Sequence, residues 1–177
     1  MINRHFGIAH RELASAYSIP SSVRAIPLTA FFGCTGLVNV ELKEGLESIG
    51  CRAFAAFGFR FPAFTVCTLL QHISIPSTVK EIGRCAFLSC TQLVNVELRE
   101  GLERIHEWAF RECSSLERII IPSTVNNIHK DAFRDCSGLV SIEFCEEMEQ
   151  FITDLSLRRW WNSRISKLPL RRASGSF

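Results

Sequence analysis

The chain has 177 residues, 47% of them hydrophobic, and a formal net charge of +2. That length fits one domain, that apolar content excludes a disordered chain, and so small a net charge gives no argument for nucleic acid by itself. The charge is unevenly placed: six Lys and Arg and no acid lie from Arg158 onward, leaving 14 basic against 18 acidic residues, a balance of −4, in the remainder.

The first 18 residues hold no apolar run long enough for a signal peptide, because charged residues or His interrupt at positions 4, 5, 10, 11 and 12. No run of 18 apolar residues occurs anywhere, so no membrane span is expected. With eight cysteines to weigh, the simplest reading is a reducing, intracellular location. Residues 1–18 are read as an irregular N-terminal cap, in which Ile8, Leu13 and Tyr17 resemble a worn half-coil.

From residue 19 a pattern takes over. Val79, Leu102 and Val125 are 23 apart, and Ile82, Ile105 and Ile128 keep the same step. So do Phe87, Phe110 and Phe133, then Cys90, Cys113 and Cys136, then Leu93, Leu116 and Leu139, then Val96, Ile119 and Ile142. A fixed period of this size means stacked coils, because one such unit cannot bury its apolar side alone. The first full coil carries Val23, Ile26, Ala30, Phe31, Cys34, Leu37 and Val40 at the same offsets. The second opens with Leu46, Ile49 and Ala53-Phe54, then departs, and counting back from Val79 puts Ala63-Phe64, Cys67 and Leu70 in register. An extra decapeptide therefore falls within 53–62, in a stretch bearing Phe54, Phe57, Phe59, Phe61 and Phe64.

Coil junctions alternate between two forms. Ile-Pro-Ser-Ser/Thr-Val begins at 19, 75 and 121, and Leu-Lys/Arg-Glu-Gly-Leu begins at 42 and 98. The ancestral unit is thus a pair of coils, 46 residues long. Within a coil, Leu93-Val-Asn-Val-Glu-Leu98 alternates as a strand does. Its Pro or Gly junction turns the chain, and Val79 and Ile82 return to the core across a second short extended piece. In Ala86-Phe87-Leu88-Ser89-Cys90, Phe and Cys at i and i+3 predict one helical turn. The expected class is α/β, with a parallel sheet on one face and short helical turns on the other.

The Ala-Phe-x-x-Cys-x-x-Leu-x-x-Val/Ile-x-Leu/Ile elements and Ile-Pro-Ser-Ser/Thr-Val junctions resemble the BspA-like class of the leucine-rich repeat family, over about residues 19–145. That resemblance implies a right-handed curved solenoid of about five coils that binds proteins or surfaces. The chain departs from the general leucine-rich pattern in lacking an Asn ladder after the strand; Thr78, Gly101 and Thr124 lie near that place.

The period ends at about residue 145. Met148, Phe151, Ile152 and Leu155 sit at helical spacing, with Glu146, Glu147 and Glu149 where a helix dipole favours anions. Residues 146–162 are therefore expected to form a capping helix, with Trp160 and Trp161 extending its apolar surface, and 163–177 a basic flexible tail. Within the tail, Leu170-Arg-Arg-Ala-Ser174 resembles a substrate site for basic-directed protein kinases.

No catalytic centre, cofactor motif or metal spacing stands out, and no small-molecule substrate is indicated. Cys34, Cys67, Cys90, Cys113 and Cys136 occupy one inward column and are read as reduced packing residues. Cys51, Cys85 and Cys145 lie off it. His106 and His129 are 23 apart and stack by repetition. The functional expectation is a non-catalytic module that binds a protein partner on the strand face, through Asn39, Glu41, Gln71, His72, Asn95, Glu97, Glu117, Arg118, Ile120 and Glu143. Apolar residues mixed with acids and amides suit such a surface. The alternative is an electrostatic tether, in which the basic tail binds anionic membrane or nucleic acid.

Overall fold

The computed structural model describes residues 15–32, 34, 36–55, 69–144 and 171–172. Each coil contributes one strand to a front sheet and one to a side sheet, and all pairings are parallel. In the front sheet β1 (Ala16–Ser18), β3 (Asn39–Glu41), β5 (His72–Ile75) and β7 (Asn95–Leu98) form one ladder. Next to β7 lies β9 (Arg118–Ile121), which starts a second ladder with β11 (Ser141–Phe144) and β12 (Arg171–Arg172). The side sheet holds β2 (Ala25–Ile26), β4 (Ser48–Ile49), β6 (Glu81–Ile82), β8 (Arg104–Ile105) and β10 (Asn127–Ile128) in unbroken order.

Alternation sets what each strand buries. In β7, Val96 and Leu98 face the core while Asn95 and Glu97 face out, and β5 repeats this with Ile73 and Ile75. Register then stacks like on like: Val40, Ile73 and Val96 are cross-strand partners, as are Ile26, Ile49, Ile82, Ile105 and Ile128 in the side sheet. A rod of rings runs through the middle. Phe31, Phe54, Phe87, Phe110 and Phe133 stack with centroids 4.8–5.3 Å apart and planes within 4°. That spacing is close to the separation of neighbouring hydrogen-bonded strands, so the backbone ladder fixes the stack. Tyr17 meets Phe31 edge-on at 5.6 Å and closes its N-terminal end.

The side opposite the front sheet corrects the expectation of helical turns. Among the described residues there is no helix. Alternate N–H groups there do different work. Those of Ala86, Leu88 and Cys90 close turns onto Gly83, Cys85 and Phe87, whereas those of Cys85, Phe87 and Ser89 cross to Glu107, Ala109 and Arg111 of the next coil at 2.8–3.0 Å. A helix would need every N–H for itself. Two positions per coil also leave the right-handed region: Thr29, Arg52, Cys85 and Trp108 at one, Ser89, Glu112 and Asp135 at the other, with φ between 54° and 62°. The Phe-to-Cys spacing of i, i+3 is met by these turns as well as by a helix.

The Cys column packs as expected. At the described positions Cys34, Cys90 and Cys113 are buried and Cys136 is half-buried. The Sγ of Cys90, Cys113 and Cys136 donates to the carbonyl of the preceding coil's Phe54, Phe87 and Phe110 at 3.0–3.2 Å.

The described residues on either side of the second coil's extra length keep the repeat pattern. Phe54, not Phe64, takes the ring position between Phe31 and Phe87, and Leu70 resumes the buried pattern. The additional length therefore lies between Ala55 and Leu69. Phe57, Phe59, Phe61, Phe64 and Cys67 are outside the described residues, as are residues 1–14 of the cap, the helix expected at 146–162 and the tail apart from β12. The expected cap ends in a strand: Ala16–Ser18 pairs with Asn39–Glu41.

Candidate binding face

The exposed side of the front sheet presents the side chains in rows across the coils. Asn39, His72 and Asn95 are cross-strand partners and all are exposed. Two residues further along each strand, Glu41, Ser74 and Glu97 form a second row. Together these six line an open depression of about 490 Å³, with Glu44 and Arg99 at its rim. Gln71 and Glu117 are exposed just ahead of β5 and β9, and Arg118 is exposed while Ile120 is half-buried. Val94 and Val140, at 45% and 62% exposure, add apolar area ahead of β7 and β11.

Glu143 departs from the expectation of an open carboxylate. Its side chain is only 8% exposed, 3.5 Å from Arg118 Nε. In the ladder it lies between Ile120 of β9 and Arg171 of β12, so neighbours flank it on both sides.

The carboxylates of the depression are paired with neighbours on the same face. Glu41 accepts from Ser18 Oγ at 2.6 Å and from Lys43 Nζ at 2.9 Å, and these bonds hold its carboxyl below the ordinary range. Glu97 accepts from Arg99 Nε at 3.4 Å. Both pairs are solvent-exposed, so they are weak.

Sequence reading missed what joins the coils at the edge of this face. Glu44 accepts from the Ser77 N–H at 3.2 Å and its hydroxyl at 3.0 Å. Glu100 does the same for Ser123, both at 2.9 Å, and adds the Thr124 N–H at 3.2 Å. Thr78 and Thr124 each donate to the carbonyl of Leu46 and Leu102 at 2.7 Å while accepting from the N–H of Gly45 and Gly101. These bonds occupy the place of the missing Asn ladder. The signal was present in the alternating junctions, whose two forms are donor and acceptor halves of one joint.

Parallel coils, inward columns of Leu, Ile, Phe and Cys, and an open sheet face define a leucine-rich-repeat solenoid. The chain belongs to the BspA type leucine rich repeat family, whose sequence pattern matches residues 10–60 and 59–156 in six copies. Among solved structures, the T. pallidum leucine rich repeat protein is 29% identical, with 92% of this chain and 74% of that one covered and a TM-score of 0.65. The pneumococcal vaccine antigen PcpA is 28% identical, with 75% of this chain and 31% of that one covered and a TM-score of 0.63. A leucine-rich repeat protein from Eubacterium ventriosum shares the fold at 22% identity and a TM-score of 0.64, over 74% and 33% of the two chains. The chain thus spans about a third of the last two proteins. A comparison with curated proteins gives no match. Leucine-rich-repeat proteins generally mediate protein–protein interaction and are typically non-catalytic. No helix among the described residues is long and apolar enough to cross a membrane.

Proposed function

We propose that this chain is a non-catalytic docking module that engages a protein partner on the exposed face of its front sheet. The observation that carries the reading is the depression formed by Asn39, Glu41, His72, Ser74, Asn95 and Glu97 across β3, β5 and β7. Its lining is about equally polar and apolar, and Val94 lies exposed beside it, the mixture that protein interfaces use. Gln71, Glu117, Arg118 and Ile120 extend the same face toward β9. Glu143 supports Arg118 from beneath rather than touching a partner.

The test is capture from native lysate with three baits: the wild type, a Glu97→Lys/Arg118→Glu variant, and a chain whose tail arginines and lysine are changed to Gln. Both substituted positions on the face are exposed, but Arg118 neutralises the buried Glu143, so circular dichroism must show the variant folded before its loss of a partner counts as docking. A protein retained by the wild type and the tail variant but lost by the face variant supports docking. Loss with the tail variant alone would overturn it in favour of electrostatic tethering.

A further inference from the structure

Cys51 and Cys85 lie off the column of Cys90, Cys113 and Cys136, on facing turns of the second and third coils. The backbone fixes their relation. The Gly83 N–H donates to the Ile49 carbonyl at 2.8 Å, and the Arg52 N–H donates to the Arg84 carbonyl at 3.0 Å. Residue 50 therefore lies opposite residue 83 and residue 52 opposite 85, which leaves Cys51 one step diagonal to Cys85. The coils press close here: a Cβ on Gly83 would come 3.0 Å from the Cys51 nitrogen.

The hydrogen-bonded coils stand about 4.8 Å apart, as the Phe54 and Phe87 rings of the same two coils do at 5.1 Å, and a one-residue diagonal across that spacing falls within the Cα separation of about 4.4–6.8 Å that a disulfide accepts. The column thiols differ. Cys90, Cys113 and Cys136 stack directly above one another, and each Sγ is committed to a Phe carbonyl.

The two thiols are also unequal in access. Cys51 is half-buried and reachable, whereas Cys85 is buried at 1% exposure. Cys85 sits in the left-handed region at φ 57°, a conformation unfavourable for a residue with a side chain. Burial pushes its thiol up, and the neighbouring Cys51 adds to the rise, while Arg52 and Arg84 pull the other way.

We propose that Cys51 and Cys85 form a thiol modification site that reacts with a low-molecular-weight disulfide of the glutathione class and closes into a bridge between the two coils. The Cys51 thiolate attacks one sulfur of the small disulfide, whose S–S bond breaks, and one small thiolate leaves and takes up a proton. The Cys85 thiol then gives its proton to water, and its thiolate attacks Cys51 Sγ, expelling the second small thiol. Two protein thiols are oxidised and one small disulfide is reduced to two thiols. The bridge ties off the segment that contains the extra length between Ala55 and Leu69. The site needs no partner on the front sheet and stands apart from the docking reading.

The test equilibrates the full chain with reduced and oxidised glutathione at graded ratios, quenches with acid, denatures, alkylates, and maps peptides by mass spectrometry without reduction. The expected species joins the Cys51 and Cys85 peptides, is lighter than the two reduced peptides by two hydrogens, and rises with the oxidised fraction. In Cys85→Ser, Cys51 is expected to remain as the glutathione adduct. In the wild type, a persistent Cys51 adduct beside alkylated Cys85 would overturn the proposal. So would a bridge from either thiol to Cys67 or Cys145, or the absence of any reaction. The wild-type map decides the matter even where the variant fails to fold.

Discussion

Glu100 holds Ser123 by two bonds at once, one oxygen accepting the backbone N–H and the other the hydroxyl, both at 2.9 Å. Glu44 holds Ser77 in the same way. The acidic junction of one coil thus caps the Pro-Ser-Thr junction of the next. A single repeated form could not do this, since two acidic junctions would repel and two Pro-Ser-Thr junctions would leave N–H groups unpaired. The 46-residue double period read from the sequence is the footprint of this joint.

Glu100→Ala removes three acceptor contacts and leaves the Ser123 and Thr124 N–H groups to water. The carboxylate is solvent-exposed, so the loss is discounted to about 1 kcal/mol, as for a helix cap. Urea unfolding is expected to show a lower midpoint with an unchanged slope. Glu100→Gln, which keeps an acceptor oxygen, is expected to fall between Ala and wild type. Equal effects of Ala and Gln would show that the charge is what matters.

The same joints make stability sensitive to acid. For both Glu44 and Glu100 partial desolvation is the largest single influence and raises the pKa, but the bonds from Ser and Thr together outweigh it and hold the carboxyls below their ordinary 4.5. A carboxyl depressed in the folded state contributes stability that is full above the unfolded pKa and is lost as pH falls through the folded one. Thermal midpoints are therefore expected to be level from neutral pH to about 5 and to drop below that. In Glu44→Gln/Glu100→Gln the midpoint starts lower and the acid drop is shallower. An acid drop as steep as that of the wild type would place the responsible carboxylates elsewhere, with Glu81 next in line. Bonds from Arg104 and then His106 hold its carboxyl down.

Most inward positions were legible because each column is written three or more times; Phe87, Cys90, Leu93 and Val96 could be assigned from spacing alone. What spacing could not separate was the conformation between Ala86 and Cys90. A pair at i, i+3 meets in a tight turn as readily as in a helix, and the deciding fact is that alternate N–H groups are drawn to the next coil. Nor could it choose between Ala53-Phe54 and Ala63-Phe64, since counting from one end selects the first and from the other end the second. On the front face, Asn39, His72 and Asn95 fell where alternation put them. Glu143 did not, because its burial comes from being flanked on both sides by β9 and β12, and β12 arrives from 27 residues further on.

Phe110 is fully buried, stacked between Phe87 at 5.1 Å and Phe133 at 5.3 Å. Phe110→Ala opens a cavity in a stack whose backbone is held by ladders on two sides and cannot collapse to fill it. A cost of about 3–5 kcal/mol is expected, a large share of the stability of a domain this size. Because each coil touches only its neighbours, the loss divides the solenoid at its fourth coil. Hydrogen exchange is expected to speed up first at Ile119, Val125 and Ile142, while Ile26, Phe31 and Ile49 keep their protection. Uniform loss across all coils would show that the solenoid unfolds as one unit.

Gly83 tests how tightly the coils are spaced. Its backbone is not in the left-handed region, so the argument is one of space: a Cβ would lie 2.6 Å from the Ile49 carbonyl oxygen and 2.9 Å from the Gly50 carbonyl carbon, both backbone atoms of the coil below. Those atoms cannot move aside without stretching the 2.8 Å bond from the Gly83 N–H to that same Ile49 oxygen. Gly83→Ala would gain stability in an ordinary extended segment by restricting the unfolded chain. Here the contact is expected to reverse the sign, with a loss of about 1–3 kcal/mol as for overpacking. Gly50 meets the Ile26 oxygen at the same 2.6 Å one coil earlier, so Gly50→Ala should cost a similar amount. The equivalent positions one and two coils later are His106 and His129, whose N–H groups bond Ile82 and Ile105 at 3.0 and 2.9 Å. A side chain is therefore accommodated at the later coils, and the seams at Gly50 and Gly83 are the tighter ones. Thermal melts of Gly83→Ala and His106→Ala side by side check this. A clear fall in the first and a much smaller one in the second are expected, and a rise in Gly83→Ala would show that the coils have room to separate.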